Sequence, residues 1–198
     1  MNRKTNNNIL VPTDFSDVAD NALTHAITVA KAYGNEITLL YILEDGMLGG
    51  LFSGGQSDVM RDAIKAKLEA KAKEIADGSG VKVHARVESG KVYKTVSKIA
   101  NEDHFDSIIM GSNGASGLEQ IVGSNASRTI QYAEVPVVVV KQNTAKAHGY
   151  KKIVMPIDLT LKAVKRLSGP SIWVRNSTLR SMWFTPSLRM SICSAKLR

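Results

Sequence analysis

Ile9-Leu10-Val11-Pro12-Thr13-Asp14-Phe15-Ser16 holds a strand, its end and the start of a helix within eight residues. Ile9-Leu10-Val11 is a short apolar run, the pattern of a strand buried on both faces. Pro12 stops it, and Thr13-Asp14-Phe15 reads as a loop. Ser16 is a good helix N-cap, and Asp17 and Asp20 suit the positive end of a helix dipole. Ala19, Leu23, Ala26, Ile27 and Ala30 then fall on one helical face. Gly34-Asn35 ends that helix with residues that tolerate the left-handed conformation.

The same alternation continues outward. Ile37–Leu43 is a second apolar run. Glu44–Ser57 contains Gly46, Gly49, Gly50, Gly54 and Gly55 and reads as a mobile loop. Asp58–Asp77 is helical in composition and is broken by Gly78-Ser79-Gly80. Val81–Val87 alternates with period 2, a third strand. Val92, Val96, Ile99 and Ala100 mark a helix, Ser107–Met110 a fourth strand, Ser124–Tyr132 a helix, and Val137–Lys141 a fifth strand. The order β-α-β-α-β-α-β-α-β predicts an α/β fold: an open, mostly parallel five-stranded sheet with helices on both faces. Ligands of such sheets bind outside the carboxyl ends of the strands, at a topological switch point. That selects the loops Thr13–Ser16, Glu44–Ser57, Ser89–Lys91 and Gly111–Ser124.

The chain has 198 residues, 43% hydrophobic and 22% charged, as expected of a globular protein. Its one cysteine, Cys193, rules out an internal disulfide framework and a thiolate metal cluster. Met1–Asn8 is polar, without the apolar core of a signal peptide, and no run of 18 apolar residues occurs. A cytoplasmic protein without membrane attachment is expected. The net charge of +8 suggests nucleic acid until it is located. Residues 1–158 hold 18 basic and 18 acidic residues, whereas residues 159–198 hold 8 basic and no acidic ones. Lys162–Arg166, Trp173 and Trp183 in that tail read as a solvated basic segment, and no specific nucleic-acid partner is expected.

Asn8–Asp14 recurs as Lys152-Ile153-Val154-Met155-Pro156-Ile157-Asp158, an offset of 144 residues from Pro12 to Pro156. One domain is expected over 1–143, then a linker with the first strand of an abortive second repeat over 144–160. A basic tail, expected to be poorly ordered, fills 161–198. Either the tail is divergent or the second repeat is truncated or frame-shifted.

Gly111-Ser112-Asn113-Gly114 follows an apolar strand, and Gly123-Ser124 opens a helix. Gly111 and Gly114 permit positive φ and close backbone approach. Free N–H groups of the loop and helix favour an anion, and the Ser124 hydroxyl can cap the helix or donate to a phosphate. No Lys or Arg lies between Gly111 and Ser127, so backbone dipoles and hydroxyls would carry the binding, with or without a metal. The pattern is neither a Walker A loop nor the dinucleotide fingerprint. Tight turns and a capped helix would use the same residues. Asp14 at a strand's carboxyl end can accept bonds from a ribose or an amino group, or can simply form a turn with Ser16. His25, His84, His104 and His148 lack metal-ligand spacing, and Cys193 lies in the anomalous tail.

Ile9–Ser16 with Asn21-Ala22-Leu23, Leu39-Leu40-Tyr41-Ile42, Ile108–Gly114, Gly123-Ser124 and Val135-Pro136-Val137-Val138-Val139-Val140 together resemble a universal stress protein domain. The likeness covers about residues 5–142. Many members are tandem, which agrees with the 144-residue offset. The resemblance implies a Rossmann-like sheet of the adenine nucleotide alpha hydrolase type and, for the ATP-binding branch, a G-x2-G-x9-G-(S/T) motif. This chain has eight residues between Gly114 and Gly123, one fewer. The resemblance further implies that Pro12 and Thr13 line a nucleotide cleft and that Asp14 meets the ribose or adenine. Ile42 would touch adenine, with Met110 and Gly111 beneath ribose and phosphates. Gly114, Gly123, Ser124 and Asn125 would bind the phosphates of ATP, with or without Mg. It implies a homodimer through Val137–Val140. The expected function is a stress-response regulatory protein that binds ATP. The alternatives are a dimerisation module without nucleotide and a weak ATPase, with hydrolysis slow at most.

Overall fold

The computed structural model of the chain describes residues 6–44, 56–113, 122–142, 181–183 and 191–193. Up to residue 142 they alternate strand and helix. They run β1 (Asn8–Pro12), α1 (Asp17–Tyr33), β2 (Glu36–Leu43), α2 (Gln56–Ser79), β3 (Val83–Ser89), α3 (Val92–Glu102), β4 (Ser107–Gly111), α4 (Ser124–Tyr132) and β5 (Val137–Val140). The sheet order is β3-β2-β1-β4-β5, and every pairing in it is parallel. β3 begins two residues later than the alternation at Val81 predicts. The end of α2 uses the first of those residues: Gly80 takes φ +72 and Val81 N–H donates to Ser79 Oγ, while the Lys82 carbonyl already accepts from Ile37 N–H of β2.

The helices cover both faces. On α1, Ser16 Oγ accepts from Ala19 N–H at 3.3 Å, and Gly34 closes the helix at φ +72. α2 joins α1 on the same face, where Lys71 pairs with Asp20. On the opposite face α3 meets α4, with the Tyr93 and Tyr132 rings 5.4 Å apart and Asn101 Oδ1 accepting from Glu134 N–H. Alternate strand residues serve the two faces. Leu10, Leu40, Ile42, Ile108 and Met110 form one buried cluster with Val96, Ile99 and Ala126 from α3 and α4. The intervening Ile9, Val11, Ile37, Leu39 and Ile109 are equally buried, on the side of α1 and α2.

The central strand is paired unevenly. β1 pairs with β2 from Asn8↔Glu36 to Pro12↔Leu40, but with β4 only at Ile9↔Ser107 and Leu10↔Ile108. The cause is Pro12. Thr13 N–H donates to Leu40 O on the β2 side, whereas Asn8 O accepts from Asp106 N–H on the β4 side. Backbone groups alternate sides along a parallel strand, so the nitrogen of residue 12 faces β4. A proline there has no hydrogen to give, and the ladder stops. Because β2 and β4 flank β1, this is also where the chain reverses its winding, the switch point at which such sheets open a crevice.

Residues 148–198 form a separate compact unit. In it Ser181–Trp183 (β6) and Ser191–Cys193 (β7) pair antiparallel, Ser181 opposite Cys193. Three-residue strands leave no readable period, so sequence reasoning placed none there. Residues 45–55 of the Gly-rich loop, the linker and second-repeat strand expected over 144–160, His148, Lys162–Arg166 and Trp173 lie outside the described residues. Among the described residues no helix is long and apolar enough to cross a membrane.

At the amino end of the sheet, Glu36 accepts from Lys82 at 3.0 Å and lies 2.7 Å from His84 Nε2. The His84 hydrogen bond, then the Lys82 one, hold its carboxyl below the ordinary value of 4.5. Below pH 4.5 the unfolded chain therefore binds a proton that the folded chain refuses, and stability falls as pH falls through the folded value. Urea titrations of wild type and Glu36→Gln between neutrality and pH 3 should show a shallower acid loss in the variant; identical slopes would refute the linkage.

Candidate functional site

The loop after β1 is wired residue by residue. Phe15 N–H donates to Thr13 Oγ1 at 3.1 Å. Asp14 Oδ1 accepts from Ser16 N–H at 3.0 Å and from Ser16 Oγ at 2.5 Å. Asp14 thus forms the turn that its sequence context allowed, and it remains exposed at the carboxyl end of the central strand. Thr13 is buried, 8% exposed, and Pro12 half-buried. Phe15 between them and the helix has φ +62, a conformation unusual for a bulky residue.

The end of β4 faces this loop across the unpaired stretch of the ladder. Gly111 is not among the described glycines at positive φ, which corrects one of its two expected reasons. Its reason is proximity: a Cβ there would lie 2.8 Å from Val18 Cγ1 and 3.3 Å from the Val18 backbone on α1. Ser112 N–H donates to Val140 O at 2.8 Å, and Ser112 O accepts from Gly123 N–H at 2.8 Å. A Cβ on Gly123 would come within 3.0 Å of that same Ser112 oxygen. Gly114 and the segment through 121 lie outside the described residues, but the two ends of this shortened loop meet in a hydrogen bond.

Gly123, not Ser124, is the N-cap of α4. Ser124 is the first helical residue, exposed, and its hydroxyl does not cap its own helix. The first turn of α4 contains no acid, and its N-cap, a glycine, brings no side-chain cap of its own. α1 is the contrast, since Ser16 caps it and Asp17 and Asp20 sit in its first turn. Both helices start at the carboxyl end of the sheet, and of the two only α1 has a side-chain N-cap and acids in its first turn. Asn125 follows Ser124 in that first turn, half-buried.

Ile42 and Met110 are packed into the apolar cluster under α3 and α4, 9% and 5% exposed. They form a wall more than a contact surface. The structure thus gathers Pro12, Thr13, Asp14, Gly111, Gly123, Ser124 and Asn125 at one end of the sheet, with Ile42 and Met110 behind them. Sequence reasoning missed Asn21 and Lys67. Asn21 Nδ2 donates to Lys141 O at 2.9 Å and ties α1 to the end of β5. Lys67 Nζ lies 4.1 Å from the centre of the Phe15 ring. Asn21 sits in a stretch already notable in the sequence, whereas nothing local singles out Lys67. Among the described residues no three His, Cys, Asp or Glu side chains gather to hold a metal.

This arrangement has a counterpart among known proteins. Residues 5–141 match the family described as the universal stress protein family. The chain belongs to that family. Universal stress protein MJ0531 of Methanocaldococcus jannaschii is 35% identical over 138 residues, 68% of this chain and 81% of that protein. Universal stress protein MJ0577 of the same organism is 31% identical over 156 residues, 69% of this chain and 96% of its own. The solved structure of MJ0577 superposes with a TM-score of 0.62, covering 71% of this chain and 100% of that one. A universal stress protein from Archaeoglobus fulgidus, solved in complex with dAMP, is 22% identical with a TM-score of 0.52 over 70% of this chain and 99% of its own. At that identity the likeness is one of fold.

The packing of Gly111 gives a signed prediction. Gly111→Ala should destabilise the domain by about 1–3 kcal/mol through overpacking on Val18. Gly78→Ala, where a Cβ meets nothing within 4 Å in α2, should instead stabilise by up to about 1 kcal/mol. Urea denaturation of the two variants beside wild type checks both signs.

Proposed function

We propose that this universal stress protein is a cytoplasmic stress-response regulator that binds ATP in the crevice between the carboxyl ends of β1 and β4. The glycine-capped N-terminus of α4, joined through Gly123 to the end of β4, carries the reading. It begins at a glycine cap with no acid in its first turn, beside a gap that Pro12 keeps open. Gly123 fits a phosphate cradle because any side chain would fill the space against Ser112 and Asn113. Ser124 and Asn125 add neutral donors from the first turn, and Gly111 and Gly114 complete the loop. Asp14 would accept from the ribose or base, with Pro12 and Thr13 as the floor, and Ile42 and Met110 as the apolar wall behind the adenine. Bound ATP would supply polyphosphate charge to this helix end, and a Mg ion would arrive on its phosphates. The dAMP complex of the Archaeoglobus fulgidus protein supports an adenine nucleotide as the ligand class.

The nucleotide state would be read by partners or by a second copy through β5. In the described sheet β5 is an edge, with Val137, Val138 and Val139 only half-buried. Apolar edge strands invite pairing. Val138→Lys should shift a dimer to monomer in sedimentation velocity while leaving the far-ultraviolet circular dichroism unchanged.

Native mass spectrometry with and without Mg-ATP tests the nucleotide directly. One nucleotide per chain is expected, and Gly123→Val should weaken it at least about tenfold with secondary structure intact. No bound nucleotide at millimolar Mg-ATP would reject the reading and leave the β5 edge as the functional surface.

A further inference from the structure

Phe15 stands in the motif that follows β1, yet nothing in the nucleotide reading uses it. Its surroundings are unusually complete. The ring stacks on Tyr41 of β2 with centroids 5.3 Å apart and planes 29° from parallel. Lys67 Nζ of α2 sits 4.1 Å from the ring centre, and Lys71 Nζ lies 5.9 Å away while pairing with Asp20 of α1. The backbone beneath this clamp is left-handed, φ +62, and the N–H of Phe15 is held by Thr13 Oγ1. Left-handed bulky residues persist only where the surroundings over-determine them, and they gather at functional sites. The residue on one side is Asp14. The residue on the other is Ser16, whose N–H and hydroxyl both hold Asp14 Oδ1.

We infer that Phe15 is a positioning residue. Clamped between Tyr41 and the Lys67 ammonium, its side chain keeps the loop backbone left-handed and thereby fixes the Asp14 carboxylate at the mouth of the β1–β4 gap. The turn that brings Ser16 back onto Asp14 depends on φ at residue 15, because that residue alone separates them. Glycine adopts this φ without strain, so a glycine allows the turn but does not impose it. The aromatic ring with a cation above it imposes it, and α2 thereby contributes to the crevice through this loop. In contacts this is a three-element joint: β2 below the ring, α2 above it, and the β1–α1 loop between.

The inference rests on Asp14 as a ligand of the nucleotide, so its test has one arm with nucleotide and one without. In the full chain, Phe15→Gly should weaken Mg-ATP by about tenfold in calorimetry. Asp14→Ala together with Phe15→Gly should bind no more weakly than Asp14→Ala alone, because Phe15 acts through that carboxylate. Phe15→Tyr should restore wild-type affinity, and Lys67→Met, which keeps the stem but loses the charge, should fall between. In the arm without nucleotide, the Hα–Hβ couplings of Asp14 should report one rotamer in wild type and Phe15→Tyr, and an averaged one in Phe15→Gly. If wild type binds no ATP, the nucleotide reading fails and the couplings still decide. A single Asp14 rotamer in Phe15→Gly, or additive losses in the double variant, would overturn the positioning role.

Discussion

A hydrogen that Pro12 does not have organises the carboxyl end of this sheet. An amide at residue 12 would face β4 and could extend the ladder past Leu10↔Ile108. With proline there, β1 stays paired with β2 to its end and parts from β4. The two loops that follow these strands can then face each other across an opening rather than across a continued ladder. The helices after those loops begin at the same end of the sheet, so their positive ends share the opening. One carries Ser16, Asp17 and Asp20 at its start, and the other starts at Gly123 with no acid in its first turn. This inequality, together with the exposed Asp14 carboxylate, distinguishes the two sides of the opening.

Most of the framework was legible in the sequence because it rests on local rules. Apolar runs of strand length, helical periods, the Ser16 cap and the Gly34 stop each concern neighbours within a few residues. The departures arise where distant parts decide. β3 starts late because the cap of α2 uses the residues before it. Asp14, Gly123 and Ser124 could be found as strand-end and helix-start residues. Phe15 could not, since its meaning depends on Tyr41, 26 positions away, and on Lys67, 52 positions away. Asn21 likewise acts on a carbonyl 120 residues further along the chain.

The glycines show how a residue can be identified for an incomplete reason. In the sequence, Gly111 suggests a special backbone angle or a close approach. In the fold only the second applies: α1 lies so near the end of β4 that a methyl group would strike Val18. Gly123 is likewise demanded by Ser112, whose carbonyl it also hydrogen-bonds. Both positions therefore serve packing in their own right. Loss of ligand binding in a glycine variant therefore acquires meaning only beside a measurement of stability.

The tie from Asn21 to the Lys141 carbonyl also fixes where the chain leaves the sheet. Parallel strands all point the same way, so β5 ends beside the crevice, where Val140 O receives the Ser112 N–H. The amino-terminal segment is anchored at the other end, with Asn6 N–H on His104 O. A fluorophore attached at residue 142 would therefore sit at the rim, while one attached at residue 6 would be a distant reference. The polarity of the strands makes the molecule a natural two-colour sensor frame, with signal and control placed at opposite poles.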